Sequence, residues 1–173
     1  MKEESLLLLS DLQKLINQVV LIDYTIIILG SETMIVCVAV DDNRGMMFNN
    51  RRQSQDKILR KYLLNMVNGR KIWINNYTAK QFEFPLTGNI AVDENFLDKA
   101  CEEDFCFVEN LSLEKYKERI KEIILFKWNR IYPADMYFDI PLVENEWKLT
   151  YVDEFEGNSH EKITMEEWKR ESI

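Results

Sequence analysis

With 173 residues, 46% of them hydrophobic and 12% aromatic, the chain has material for one domain with a sizeable core, which excludes a largely disordered protein. Its 22 Lys and Arg against 30 Asp and Glu give a net charge of -8, which disfavours duplex DNA or an anionic membrane as the main partner and suits a basic one. One His and three Cys cannot build a multi-histidine metal centre or a four-ligand zinc site by themselves, so neither a metal nor a cofactor is expected.

The N-terminal Met1-Lys2-Glu3-Glu4-Ser5 has no positively charged leader region, and the apolar run Leu6 to Leu9 is shorter than a signal-peptide core. A cytoplasmic protein is expected. The apolar stretch from Val19 to Val40 is broken by Asp23, Gly30, Ser31 and Glu32 into pieces too short to span a bilayer. Cys37, Cys101 and Cys106, odd in number and without metal-site spacing, read as reduced structural thiols.

In chain order, Glu3 to Gln18 has the apolar spacing of a helix, and Val19 to Ile28 and Met34 to Val40 read as β-branched strands joined through Gly30-Ser31-Glu32. Asp41 to Arg52 reads as a polar loop. Ser54 to Asn68 is a helix with Ile58, Tyr62, Leu63 and Met66 on one face and a stop at Asn68-Gly69. A short strand follows over Lys71 to Asn75, then a helix carrying Phe96, Leu97, Ala100 and Cys101 behind Asp93 as N-cap. Phe105 to Val108 is a strand, Ser112 caps a helix with Leu113, Tyr116 and Ile120, and Ile123 to Trp128 is a central strand. Tyr137 to Ile140 and Trp147 to Val152 are further strands, the latter with Trp147, Leu149 and Tyr151 on one face. Thr164 and Glu167 read as the capping box of a last helix, stapled by Ile163 and Trp168. The expected class is α+β, with mixed α/β as the alternative: a single domain over residues 1–173 whose central, mainly antiparallel sheet is flanked by helices.

Charge is distributed unevenly. Residues 44–80 carry nine basic side chains and one acidic one, with Trp73 and Tyr77 interleaved, a composition that could serve an RNA-binding or RNA-processing module. No RNA-binding motif accompanies it, and solvated surface charge is the favoured reading, so direct nucleic-acid binding is disfavoured. Elsewhere, Glu102, Glu103 and Asp104, and Asp153, Glu154 and Glu156, form two acidic clusters suited to meeting a basic protein groove. The second lacks the full pattern of a calcium-binding loop.

Catalysis would have to use His160, with Ser159 as a candidate nucleophile and Glu161 as a carboxylate to orient the imidazole. Adjacent residues rarely supply that geometry, and the chain has no GxSxG, HExxH, P-loop or GxGxxG motif. A turn at Gly157-Asn158 tied down by polar side chains is the favoured alternative, and no catalytic residue is assigned.

Five blocks carry a resemblance: Phe48 through Asp56, Trp73 through Lys80, Asp93 through Leu97, Trp128 through Asp135, and Gly157 through Thr164. Together they resemble the immunity proteins of bacterial contact-dependent growth inhibition, in particular those paired with ribonuclease toxins. The resemblance implies a cytoplasmic, non-enzymatic protein that binds a cognate basic nuclease toxin domain and blocks its active site or RNA groove. Charge, rather than the resemblance, selects Glu102, Glu103, Asp104, Asp153, Glu154 and Glu156 as the residues for that contact.

Overall fold

Seven residues with alternating inward sides, Met34–Val40, form strand β1, the central strand of a seven-stranded sheet. Met34, Val36, Val38 and Val40 pack into one apolar cluster, and Ile35 and Cys37 into another on the opposite face. A strand covered on both faces needs apolar residues at successive positions, which this run supplies. The computed structural model describes residues 13–18, 33–82, 86 and 88–171. By internal contacts the chain divides into two units, Met1–Glu32 and Thr33–Ile173. In the first, residues 13–18 form a helix, α1, within the span expected from sequence; the strand expected over Val19 to Ile28 lies outside the described residues.

In the second unit, β1 pairs in parallel with β6 (Phe105–Val108) on one side and with β7 (Ile120–Lys127) on the other. Beyond β6 lie β4 (Ile72–Ile74) and β5 (Ile90–Val92), also parallel. Beyond β7 come β10 (Ile163–Arg170) and β9 (Trp147–Phe155), paired antiparallel. The class expected from sequence holds, and the sheet has seven strands in the order β5-β4-β6-β1-β7-β10-β9. Its pairing is mostly parallel, not mainly antiparallel, because helical crossovers return the chain to the same end of the sheet before each new strand.

The main crossover is α2 (Lys57–Val67), capped by the Asp56 carboxylate, which accepts from the N–H groups of Ile58 and Leu59 at 2.8 and 3.0 Å. It ends at Asn68 in the left-handed region, φ 50°. Its buried face is Leu59, Leu63 and Val67; Ile58 is 41% exposed, so the inward stripe lies one position from the one expected. The short helices α3 (Asn76–Ala79) and α4 (Phe96–Lys99) and a 3₁₀ helix (Glu114–Arg119) complete the connections. Asn95, not Asp93, is the cap residue of α4; Asp93 accepts from the Asn95 N–H instead.

Two further expectations are corrected. The residues read as a final helix form β10, because Ile163 and Met165 alternate into the core and ladders with β7 and β9 satisfy the backbone on both sides; long-range pairing overrides the local capping signal. Asp41 to Arg52, read as a loop, contains the hairpin β2 (Gly45–Phe48) and β3 (Arg51–Arg52), which join β8 (Met136–Tyr137) in a three-stranded sheet. Asn49 and Asn50 both have positive φ, 49° and 57°, the geometry of a two-residue hairpin turn that follows the twist of its strands.

Candidate functional site

The carboxyl ends of the parallel strands meet the start of α2 and the loop from β9 to β10 along one edge of the sheet. Asp41, directly after β1, anchors this edge. Its buried carboxylate accepts from the N–H groups of Asn43 at 2.9 Å, Gly45 at 2.6 Å and Tyr132 at 3.0 Å, and from the Gln53 amide at 3.2 Å. Gly45 is needed here, since a Cβ would come within 2.5 Å of the Gln53 amide nitrogen and 2.6 Å of Ala134. Three loops, after β1, β3 and β7, are therefore held against a single carboxylate.

Beside this anchor runs a chain of hydrogen bonds through four side chains. The Asp56 carboxylate accepts from the Ser159 N–H at 2.7 Å and the Ser159 hydroxyl at 2.8 Å. Ser159 Oγ lies 2.8 Å from His160 Nδ1, and His160 Nε2 lies 2.9 Å from the Tyr132 hydroxyl. Burial works against an ionised Asp56, but the N–H groups of Ser159, Leu59 and Ile58, with the Ser159 hydroxyl, hold it below the usual carboxylate range. An ionised Asp56 only accepts, so the Ser159 hydroxyl donates to it and takes the Nδ1 proton as acceptor; Nε2 is left to accept from Tyr132. Burial lowers the His160 pKa and Arg130 lowers it further, against the opposing pull of Asp56. The imidazole is stacked on Trp128, centroids 4.6 Å apart at 21°. Gly157 lets the loop approach: a Cβ there would lie 2.5 Å from Asp56 Oδ2 and 2.7 Å from Ile163.

Two clefts are lined by members of this chain. One of about 540 Å³ is lined by Phe48, Asn49, Arg51, Arg52, Gln53, Tyr132 and Pro133. The other, about 480 Å³, is lined by Trp128, Asn129, Arg130, Ser159, His160, Glu161 and Lys162. Deeper in, Arg52 Nε meets Glu109 Oε1 at 3.1 Å with both side chains nearly buried, and the guanidinium also donates to the Tyr77 carbonyl at 2.9 Å and covers the Tyr77 ring. Burial raises the Glu109 pKa, opposed by Arg52 and by the side chains of Thr78 and Gln81.

The sequence singled out Ser159 and His160 but set Glu161 to orient the imidazole. That partnership is replaced by Asp56, reached through Ser159, and by Tyr132. Asp56 left a trace in the sequence as an acid directly before the apolar spacing of α2, an N-cap signal; Tyr132 left none. The two acidic clusters lie at opposite edges of the sheet. Glu102, Glu103 and Asp104 precede β6, whereas Asp153, Glu154 and Glu156 close β9. Most of these carboxylates are engaged within the chain: Glu103 by Arg70 at 3.0 Å and by Lys121, Glu102 by Lys121 at 4.0 Å, Asp104 by the Trp73 indole at 2.9 Å, Asp153 by the Tyr62 hydroxyl at 2.7 Å and Glu154 by Lys162 at 2.9 Å. The basic stretch is divided in the same way, with Arg70 facing Glu103 at the amino edge and Arg51 and Arg52 at the carboxyl edge. Among the described residues no helix is long and apolar enough to cross a membrane.

No family model matches the chain, and no curated protein matches it in sequence. Among solved structures, a dihydrofolate reductase from Enterococcus faecalis, complexed with NADP(H) and RAB-propyl, is similar in fold: TM-score 0.57, 8% identity, covering 82% of this chain and 98% of that one. The likeness is one of fold. It overturns the resemblance to immunity proteins of contact-dependent growth inhibition, and with it the toxin-neutralising function and the expectation of a protein without enzymatic activity. The five sequence blocks that carried that resemblance are local, whereas the likeness in fold covers 82% of the chain.

Proposed function

We propose that this chain is an enzyme that moves a proton to or from a small substrate at the carboxyl edge of a reductase-like sheet. One observation carries the reading: the unbroken sequence of hydrogen bonds from Tyr132 through His160 and Ser159 to Asp56. Both imidazole nitrogens are occupied, so the substrate reaches the relay through Tyr132, which lines the larger cleft. As Tyr132 oxygen accepts the substrate's proton, its own proton passes to His160 Nε2. The Nδ1 proton passes to Ser159 and the Ser159 proton to Asp56 Oδ2, so that one charge has moved without any side chain rotating. Because Asp56 is a weak base, the stored proton returns readily, and the relay suits a reaction that removes and restores a proton. The fold supports an enzyme at this edge, since ligands of open α/β sheets bind outside the carboxyl ends of the strands.

The neighbour's nicotinamide dinucleotide is a different matter. The crevice where strand order reverses, between β1 and β6, is filled by Arg52 and Glu109, leaving a void of about 10 Å³, room for one water. A dinucleotide's phosphates need free N–H groups at a helix start. Here the chain's own carboxylates take them: Glu94 accepts from the Asn76 N–H at the start of α3 at 3.1 Å, and Asp139 from the Leu113 N–H ahead of the 3₁₀ helix at 3.0 Å. No glycine follows β6, where the residues are Glu109-Asn110-Leu111. These residues do not fit the dinucleotide, and no step is routed through it. Titrating the protein with NADPH and following its fluorescence should give no saturable signal up to about 1 mM; micromolar binding would restore the nicotinamide-dependent reading.

His160 is the only histidine, so its ring resonances are unambiguous. In ¹⁵N NMR at pH 7 it should be neutral and protonated on Nδ1, titrating below the usual 6.5. Tyr132→Phe should raise that pKa by freeing the Nε2 lone pair. An Nε2-protonated ring at pH 7, or a pKa indifferent to Tyr132→Phe, would count against the relay.

A further inference from the structure

We infer that the cleft beside Tyr132 binds a small aromatic carboxylate, its ring against Phe48 and its charge on Arg51. This rests on the relay reading in taking Tyr132 as the group that meets the bound molecule.

The β2–β3 hairpin sets Phe48 directly opposite Arg51 in register, which brings the two side chains out on one face as neighbours. Phe48 is 42% exposed, an aromatic ring left in water at the cleft wall. Arg51 is exposed too, and among the described residues it meets no carboxylate, although other arginines of this chain are engaged: Arg44 with the Ile140 carbonyl, Arg52 with Glu109, Arg70 with Glu103 and Arg170 with the Ile120 carbonyl. Arg52, the cleft's second guanidinium, is already neutralised by Glu109, so the cleft holds one uncompensated positive charge and suits a single negative one. A guanidinium fork matches a carboxylate in plane and in donor spacing.

The backbone that carries the recognition groups is held in place before any ligand arrives. The Asn49-Asn50 turn is fixed by the Asn49 N–H donating to Asp135 at 2.8 Å, and Gln53 ties the following segment to Asp41. The ordering left to oppose binding is then that of the Arg51 side chain, not of the hairpin. The volume of about 540 Å³ lies in the range of small-molecule sites. Pro133 and Phe48 give the walls apolar surface for a ring, and Tyr132, whose hydroxyl is bonded to His160, lines the same cleft and links it to the relay.

The test is titration of the full chain with 4-hydroxybenzoate, following heat and the His160 ring signals. Binding should weaken at least about tenfold in Arg51→Gln, the loss of a charge-assisted bond. It should weaken also in Phe48→Ala, while Lys162→Gln in the neighbouring cleft leaves affinity unchanged. Cyclohexanecarboxylate and the neutral 4-hydroxybenzyl alcohol should each bind more weakly than 4-hydroxybenzoate. Equal affinity for Arg51→Gln, or for the neutral alcohol, overturns the assignment. Absence of binding up to about 10 mM, with His160 titrating as expected in the free protein, overturns the cleft and leaves the relay standing. Binding that depends on Arg51 but leaves the His160 signals unmoved supports the cleft and counts against the relay.

Discussion

Replacing Glu109 with alanine is expected to destabilise the fold by about 3–5 kcal/mol, the cost of leaving a buried charge without its partner. Glu109 and Arg52 side chains are 8% and 11% exposed, and Arg52 would keep only the Tyr77 carbonyl and ring. The pair as a whole need not stabilise anything, because two ions must be desolvated to bury it. Arg52→Met combined with Glu109→Leu should therefore fall within about 1 kcal/mol of the parent or exceed it. Urea unfolding of the parent and the two variants decides the matter; a Glu109→Ala cost under about 1 kcal/mol would show that water reaches the pair. Glu109 also sets a pH dependence of definite sign. Its folded pKa is raised by burial, so stability falls as pH rises from the unfolded carboxylate value through the folded one. Glu109→Gln should remove that slope.

Asp56 has two duties, and two substitutions separate them. Asp56→Ala removes the α2 cap and the acceptor of Ser159, for an expected loss of about 1–3 kcal/mol. Asp56→Asn keeps an Oδ1 cap on α2 of nearly equal quality but turns the oxygen that takes Ser159 into an NH2 donor, so the helix cap should hold while the charge and the acceptor of the Ser159 N–H are lost and the His160 pKa drops further, since Asp56 is what raises it. A His160 titration unchanged by Asp56→Asn would disconnect the two ends of the relay. Asp56 is held below its ordinary pKa by the Ser159, Leu59 and Ile58 donors, so its contribution is present above the unfolded value near 4 and is lost as pH falls through the folded one. His160 acts in the same sense at higher pH: with its folded pKa lowered, the unfolded chain binds the extra proton, and stability rises with pH up to about 6.5.

Local pattern was enough for the elements that bury a continuous apolar run. Met34–Val40 and Phe105–Val108 have the bounds their composition dictates, and Lys57–Val67 lies within the predicted helix, because a strand covered on both faces and a helix with a stop at Asn68 write their periodicity into consecutive residues. Pairing direction is not local. The same apolar strands could have paired either way, and the helical crossovers between them made them parallel. The segment from Ile163 to Arg170 shows the limit most sharply: Thr164 and Glu167 satisfy a helix-start rule, yet two neighbouring strands offer every backbone group a partner that one short helix could not match.

The site divides along the same line. Composition by itself determined that a single histidine must serve any imidazole chemistry, and the sequence placed Ser159 beside it. Only the tertiary structure supplied Asp56, 103 residues away, and Tyr132, 28 residues away, because the β9–β10 turn, the start of α2 and the loop after β7 converge on one edge. It likewise parted the acidic clusters that composition had grouped by sign, since the beginning of β6 and the end of β9 lie at opposite edges of the sheet. Charge and periodicity are properties of neighbouring residues and can be read in order. A relay is a property of distances across the fold, set by which strand ends share an edge.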